Sequence, residues 1–337
     1  MKKLKGKGTK AIVLLLLLCI CCPACGKEKR DTYAIILKAK NNPYNEAAAK
    51  GFKEAVEAAG NKCIIEYPDN PTAEEQIVSI KRAISQKVKA IAVAANDADA
   101  LSSILNEAME KGIHVTTLDS DTNISDREIF VNQASAEEIG RVLLEAVYDM
   151  SGGKGQWAIL STTSQASNQN MWIDEMKKAM QEPKYSELRL VNIVYGMDEY
   201  VKSAEKTRKL LEEYPNLKVI CAPTVVGLYA AAATLDGREE AHEVKVTGLG
   251  MPQVMYPYTD DVCPYFYLWS PRLLGQVSAG ICMDLVGRKI TGTVGETSYL
   301  EGYGEYRLVS GSQGGTEVIV GALQKYHAGN IDDWINE

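Results

Sequence analysis

The residues best suited to binding a ligand each lie at or just after the end of an apolar run of the chain. They combine carboxylates, amides, a lysine and aromatic rings, and the set is Lys38, Tyr44, Asn45, Asp119, Asp121, Asn168, Gln169, Pro223, Val225 and Trp269. Hydroxyl groups both donate and accept hydrogen bonds, so carboxylates, amides and a cation in fixed positions suit a polyol. An aromatic ring would cover the apolar C–H side of such a molecule. Because the set is poor in nucleophile–base pairs, we predict binding of a small sugar-like ligand.

Metal and catalytic sites are disfavoured by residue spacing. Asp119-x-Asp121-x-Asn123 opens like a calcium loop, but Ile124 stands where the tight-turn glycine belongs and Phe130 where the closing glutamate belongs. The three histidines are widely spaced, at His114, His242 and His327. Neither G-x-S-x-G nor H-E-x-x-H occurs. We therefore expect no catalytic residue, no metal and no cofactor.

The N-terminus has the pattern of a secretory signal. Five lysines precede an apolar run at 11–22, and Pro23-Ala24-Cys25-Gly26 follows it. The run is shorter than the ~20 apolar residues that a bilayer-spanning helix needs. Ala24-Cys25 resembles the bacterial lipobox, whose cysteine is acylated, although Cys22 stands where leucine is usual. We predict a lipoprotein signal peptide at 1–24, lipidation of Cys25 and a tether at 25–31; an ordinary cleaved signal is the alternative.

Charge and cysteine content narrow the partners. Without residues 1–24, the 37 basic residues fall to 32 against 44 acidic ones. An acidic surface argues against nucleic acid and against polybasic membrane attachment. The cysteines beyond the signal are far apart, at Cys63, Cys221, Cys263 and Cys282. Their spacing shows no disulfide framework, and three lie in apolar stretches that favour buried thiols.

Apolar strands and amphipathic helices alternate along the rest of the chain. We expect strands at 33–37, 62–67, 90–94, 114–118, 156–160, 188–195, 219–222, 244–248 and 265–269. Apolar strands separated by helices indicate parallel βαβ units with both sheet faces covered. Roughly 310 residues exceed what one core usually supports, so two doubly wound α/β lobes are expected. In such sheets ligands bind beyond the carboxyl ends of the strands, where the polar set lies.

These residues resemble the type I periplasmic-binding-protein family, and within it the branch with autoinducer-2-binding and rhamnose-binding proteins of ABC importers. The motifs are Ile36-Leu-Lys38, Thr117-Leu-Asp-Ser-Asp-Thr122, Phe130-Val-Asn-Gln133, Asn168-Gln-Asn-x-Trp-Ile173, Ala222-Pro223, Met251-Pro-Gln-Val-Met255 and Leu268-Trp-Ser-Pro271. The resemblance implies two parallel-sheet lobes joined by three crossovers, near 132–137, 249–251 and 291–300. The N-terminal lobe is then 32–133 plus 251–292, and the C-terminal lobe is 134–250 plus 300–337.

The resemblance also assigns ligand contacts. Autoinducer-2 receptors use residues that match Lys38 and Asp119 on one lobe. On the other lobe, an Asp-Gln pair aligns with Asn168-Gln169, and a proline and an alanine align with Pro223 and Val225. Asn168 thus replaces a carboxylate, and Val225 narrows the pocket by two methyl groups. Tyr44-Asn45 also stands where two aromatics are usual. These departures leave rhamnose, or another deoxy- or pentose sugar, open beside autoinducer-2.

The resemblance implies a function without chemistry. The chain is expected to be an extracytoplasmic, monomeric lipoprotein that captures a sugar-like ligand and delivers it to an ABC permease with a separate ATPase. Its expected location is the outer face of the plasma membrane, or the periplasm. A receptor that presents ligand to a sensor kinase or chemoreceptor is the alternative, and a membrane-anchored hydrolase is less favoured.

Overall fold

The computed structural model describes residues 30–236 and 243–335. The predicted signal segment 1–24 and Cys25 lie outside the described residues. The first elements are β1 (Thr32–Ile36), α1 (Pro43–Ala58), β2 (Lys62–Glu66), α2 (Ala73–Ser85), β3 (Ala90–Val93), α3 (Ala98–Glu110), β4 (His114–Leu118) and β5 (Ile129–Asn132). There follow α4 (Ala136–Ser151), β6 (Gly155–Ser161), α5 (Ser167–Ala179), β7 (Leu188–Tyr195), α6 (Tyr200–Glu213), β8 (Leu217–Ala222), α7 (Val225–Leu235) and β9 (Lys245–Gly248). The last elements are α8 (Pro252–Met255), β10 (Tyr265–Leu268), α9 (Pro271–Val286), β11 (Thr297–Leu300), β12 (Gly304–Arg307), β13 (Val309–Ser310), β14 (Thr316–Ile319) and β15 (Gln324–His327).

Local sequence signals explain where several helices begin. Their first turns are capped by a side chain that accepts a backbone N–H, and these caps are Asn42, Thr72, Asp97, Ser135 and Ser270. Pro43 and Pro271 also supply the backbone angle that a first helical turn requires. None of the helices in the described segments is long and apolar enough to cross a lipid bilayer.

The first lobe is built on a sheet of strand order β13-β14-β5-β4-β3-β1-β2. Its pairings are parallel except that between β13 and β14. Successive residues of β1 face opposite sides: Ile35 packs in one cluster with Phe52 of α1 and Leu274 of α9, while Ile36 packs in another with Ile80 of α2 and Leu105 of α3. Helices thus cover both faces, which explains why the strands are almost continuously apolar.

The second lobe is built on the parallel sheet β7-β6-β8-β9. Strand β10 continues this sheet through a bridge between Leu249 and Tyr267, and it pairs antiparallel with β15. Helix α4 packs against α5, and α6 packs against α7. Trp157 of β6 is completely buried in the core. Both lobes belong to one compact unit that starts at Asp31.

The chain crosses between the lobes three times, but two crossings differ from those expected. Strand β10, expected in the first lobe with 251–292, joins the second lobe; α9 then returns to the first. Strands β13 and β14, expected in the second lobe with 300–337, pair with β5 of the first. The second crossing therefore lies between β10 and α9, and the third between β14 and β15. Short strands owe their place to distant hydrogen-bond partners, which periodicity along the chain does not encode.

The four described cysteines are free thiols. Cys221, Cys263 and Cys282 are buried, whereas Cys63 is half-buried. Burial raises the pKa of the Cys63 and Cys282 thiols to about 12 and also raises those of Cys221 and Cys263. These side chains therefore pack as small hydrophobic groups.

Candidate functional site

A cavity of about 710 Å³, including the part open to solvent, lies between the two lobes. It is lined by nine of the ten residues predicted from the sequence, namely Lys38, Tyr44, Asn45, Asp119, Asn168, Gln169, Pro223, Val225 and Trp269. These residues come from loops and helix starts at the carboxyl ends of strands in both sheets.

Asp119 is the centre of the hydrogen-bond network in this cavity. Its carboxylate lies 3.4 Å from the Lys38 ammonium, and it accepts hydrogen bonds from the Tyr44 hydroxyl at 3.1 Å and the Asn168 amide at 3.2 Å. Asp119 is buried and has a left-handed backbone, with φ of 60°. A non-glycine residue in this conformation is held there by its surroundings. The sharp turn after β4 therefore fixes the direction of the carboxylate.

The first turn of α5 contributes two amides from the second lobe. The Asn168 carbonyl oxygen accepts a hydrogen bond from Lys38 at 3.5 Å, so this one side chain contacts both charged groups of the first lobe. The Gln169 carbonyl oxygen accepts hydrogen bonds from the Ser161 hydroxyl at 2.6 Å and the Thr162 N–H at 3.0 Å. Because the end of β6 occupies that oxygen, the Gln169 amide nitrogen is the group available to donate to a ligand.

Three aromatic side chains form one wall of the cavity. The Tyr44 and Trp269 rings lie edge to face with centroids 6.1 Å apart, and Trp172 packs against Trp269 at 5.7 Å. The Trp269 indole donates a hydrogen bond of 2.8 Å to the Tyr44 hydroxyl. Burial raises the pKa of that hydroxyl well above its ordinary value. The wall is therefore rigid, apolar on its ring faces, and neutral.

Asp121 is the predicted site residue that the structure places elsewhere. Its carboxylate pairs with the Arg127 guanidinium at 3.0 and 2.6 Å and accepts the Thr117 hydroxyl at 2.5 Å. It does not line the cavity, so the structure separates it from the other nine predicted residues. The turn at Asp119 directs the next aspartate toward Arg127, which also donates to the Thr316 carbonyl of β14. Through Arg127, Asp121 thus supports the start of β14 in the first lobe.

Several polar residues that line the cavity were not predicted from the sequence, and Asp198 and Asn42 are two of them. Asp198 follows β7, and it accepts hydrogen bonds from the Asn42 amide at 2.8 Å and the Thr224 hydroxyl at 2.9 Å. Burial raises the pKa of the Asp198 carboxyl, against the opposing effects of those two hydrogen bonds and of the Lys38 charge. Asp119 is predicted because it is a polar residue just after a strand. Asp198 likewise follows the strand expected at 188–195, so the same pattern points to it, although it is not among the ten predicted residues. Asn42 is also polar, and it lies in the loop after the first strand, between the predicted residues Lys38 and Tyr44.

The lining of the cavity combines polar groups with aromatic surface. None of the described residues lining the cavity is a serine, cysteine or histidine. No group of three or more His, Cys, Asp or Glu side chains in the described ranges could hold a metal ion. What the cavity offers is two carboxylates, an ammonium, several amides and an aromatic wall, which together match a small molecule with both hydroxyl and C–H faces.

Residues 33–290 match the family described as periplasmic binding protein domain. The chain belongs to this family. It is 46% identical to an ABC-transporter solute-binding protein from Clostridium phytofermentas, solved with bound L-rhamnose; the match covers 91% of this chain and 98% of that one, with a TM-score of 0.89. It is thus a type I periplasmic binding protein of the kind that serves ABC importers, and the predicted fold class is confirmed. Membership places the chain outside the cytoplasm.

Two more distant relatives are also similar. The first is a protein from Clostridium saccharobutylicum, LsrB in complex with AI-2, with 22% identity over 90% of this chain and 99% of that one and a TM-score of 0.84. At that identity the likeness concerns the fold. The second is the D-apiose import binding protein of Actinobacillus succinogenes, 23% identical over 59% of this chain. That match spans 64% of the relative's length, slightly less than two thirds.

Proposed function

We propose that the protein captures a 6-deoxyhexose of the L-rhamnose type between its lobes and delivers it unchanged to an ABC permease with a separate ATPase. The observation that carries this proposal is the joint placement of Asp119 from one lobe and Asn168 from the other in a cavity with an aromatic wall. A ligand that hydrogen-bonds to both lobes binds the closed arrangement more tightly than the open one. This difference in affinity between the two states is what closure on the ligand requires.

The polar side of the cavity suits the hydroxyls of such a sugar. Lys38 donates, Asp119 accepts, the Asn168 amide carries both a donor and an acceptor, and the Gln169 nitrogen donates. Hydrogen bonds to charged groups are stronger than those between neutral ones, so Lys38 and Asp119 are expected to contribute most to the affinity.

The apolar side of the cavity suits a deoxy sugar. Trp269 and Trp172 present ring surface, and Val225 adds branched methyl groups beside them. A C6 methyl group loses no hydrogen bond when it packs there, whereas a hydroxymethyl group would lose its contact with water. The L-rhamnose complex of the 46%-identical relative favours the same ligand class for this chain. The neutral Asn168 and the bulk of Val225 make autoinducer-2 the second choice.

The test is calorimetric titration of the mature protein with L-rhamnose, L-mannose, autoinducer-2 and D-apiose. L-mannose is the matched control, because it differs from L-rhamnose by one hydroxyl on C6. We expect L-rhamnose to bind, and L-mannose to bind roughly 5- to 150-fold more weakly, as burial of an unpaired hydroxyl costs ~1–3 kcal/mol. Mass spectrometry should recover the sugar unchanged. Equal affinity for both hexoses would refute the placement of the methyl group, and no binding of any of the four would refute the function.

We also propose that the mature chain is a monomer anchored through acylated Cys25. The lysine-rich start, the apolar run and Ala24-Cys25 support this proposal. A single acyl chain gives only marginal membrane attachment, and the two acyl chains of a diacylglycerol group make it stable. The ligand-binding part would then stay close to a membrane-embedded permease.

A further inference from the structure

The loop after β7 directs a carboxylate into the cavity from the second lobe. Met197 and Asp198 both have a left-handed backbone, with φ of 58° and 53°. The preceding Gly196 packs against α6 so closely that a Cβ there would lie 2.1 Å from the Ser203 hydroxyl oxygen. Consecutive left-handed residues outside glycine persist only where the surrounding structure over-determines them. The orientation of Asp198 is therefore preorganised.

Asp198 connects three loops of the two lobes. One carboxylate oxygen accepts the Asn42 amide of the β1–α1 loop of the first lobe at 2.8 Å. The other accepts the Thr224 hydroxyl at the start of α7 in the second lobe at 2.9 Å. A carboxylate has about four lone-pair positions, so two remain beyond these donors. Asp198 can hold the lobes together and still accept hydrogen bonds from a ligand.

The distribution of charge in the cavity gives this carboxylate a role that no other group fills. Among the described lining residues, Asp119 and Asp198 are the acidic ones, and they belong to different lobes. Asn168 and Gln169, the amides of the second lobe, are neutral. Burial raises the pKa of the Asp198 carboxyl, as expected for a carboxylate that has lost part of its solvation. Hydroxyl donors from a ligand would restore part of that solvation.

We propose that Asp198 is a ligand-binding residue, which accepts a sugar hydroxyl from the second lobe while its bond to Asn42 ties the lobes around the ligand. The ligand class rests on the proposed function, whereas the bond between the lobes does not. Asp119 and Asp198 then contact the sugar from opposite lobes. Specificity arises because a sugar without a hydroxyl at the Asp198 position leaves that carboxylate desolvated and unpaired.

The ligand-binding part is tested by titration of L-rhamnose into the Asp198→Asn variant. The substitution keeps the size of the side chain but replaces one of its two accepting oxygens by an NH2 group, so we expect affinity to fall roughly 10- to 100-fold, with a modest fall in melting temperature because the Asn42 or the Thr224 donor loses its acceptor. Asp174→Asn, an exposed position on the outer part of α5, is the control and should bind like the wild type. Among monodeoxy analogues of L-rhamnose, one should bind wild type and Asp198→Asn equally, because it lacks the hydroxyl that Asp198 reads. Wild-type affinity in Asp198→Asn, or an equal loss for every analogue, would overturn the proposal.

The bond between the lobes is tested without any ligand. Asn42→Ala, Asp198→Ala and the double variant form a mutant cycle for thermal unfolding of the ligand-free protein. We expect the two substitutions to be non-additive, since each removes the same hydrogen bond. Additive effects would contradict the tie between the lobes. If the wild type does not bind L-rhamnose, the proposed ligand is wrong, but this cycle still decides whether Asp198 joins the lobes.

Discussion

At the scale of single residues, one short motif separates ligand binding from structural support. Asp119 and Asp121 are two positions apart and chemically identical. Asp119 faces the cavity with Lys38, whereas Asp121 is paired with Arg127, whose side chain is only 2% exposed. The two carboxylates therefore have different physical roles, and they can be separated by matched substitutions.

We predict that Asp119→Ala abolishes sugar binding and leaves the fold intact, because the Lys38 side chain, which is 17% exposed, keeps access to water in the cavity. Asp121→Ala should instead destabilise the protein by about 3–5 kcal/mol, since it leaves the Arg127 charge buried and unpaired. Titration calorimetry and thermal unfolding of both variants measure the two effects. A stable Asp121→Ala protein, or one with no sugar affinity and an unchanged melting temperature, would contradict the structural role.

Much of the site could be predicted from residue type and position alone. Lys38 and Asp119 are polar residues directly after expected strands, Asn168 lies in the first turn of the helix that follows another, and parallel sheets bring such positions to one edge. Asp121 is also a polar residue just after a strand, but it lies outside the cavity. The turn of the loop pairs its carboxylate with Arg127, and the spacing of the two residues in the sequence does not reveal this pairing. Asp198 follows a strand too but was left out, and its partner Asn42 is 156 residues away in the chain.

At the scale of elements, the contact between α1 and α9 depends on glycine in both helices. A Cβ on Gly275 would lie 1.9 Å from the Ala48 carbonyl oxygen, and one on Gly51 would lie 2.0 Å from the Arg272 carbonyl oxygen. The backbones therefore meet without intervening side chains. Because α9 comes back from the second lobe, this contact anchors the second crossover to the first lobe.

We predict that Gly275→Ala destabilises the protein by at least about 1–3 kcal/mol, the usual range for overpacking a core, because the clashing atom belongs to the backbone and cannot rotate away. Gly321→Ala is the matched control: a Cβ there meets nothing within 4 Å, and its φ is not in the left-handed region. Thermal or urea unfolding measures both variants. Equal stability of Gly275→Ala and the control would refute the close approach of the helices.

At the scale of the whole molecule, function depends on where the protein is held. The described residues form the two ligand-binding lobes, and the proposed attachment point, Cys25, precedes them. Asp31 is six positions along the chain from Cys25, and an extended chain covers at most ~3.3–3.6 Å per residue. Lipidation at Cys25 would therefore keep the lobes within about 20 Å of the membrane surface.

We predict that Cys25→Ala releases the protein from the membrane fraction of expressing cells, because the acyl chains attach through that thiol. Cys22→Ala, three residues earlier in the same segment, is the control and should stay membrane-bound. Fractionation followed by mass spectrometry of the N-terminal peptide measures both effects, and the wild-type peptide should carry the lipid on Cys25. Membrane retention of Cys25→Ala would count against the anchor.

The alternation of strands and helices, and the positions of nine cavity residues, could be read from local patterns in the sequence. The strand expected at 114–118 is β4, and the strand expected at 265–269 is β10 to within one residue. Both strands can be predicted from local patterns. A strand that is buried on two faces requires a continuous apolar run, and the loop that follows the strand is polar. Local patterns therefore predicted the fold class and the edge of the sheet at which the site lies.

Only the tertiary structure decided which sheet each late strand joins and which polar residues meet across the cleft. Strand β14 pairs with β5, and the contacting residues Glu317 and Asn132 are 185 positions apart in the chain. Strand β10 pairs with β15. Hydrogen bonds between strands use backbone groups that every residue has, so residue identity does not name the partner. The same holds for Asp121 with Arg127 and for Asp198 with Asn42, where folding brings together side chains that no spacing along the chain relates.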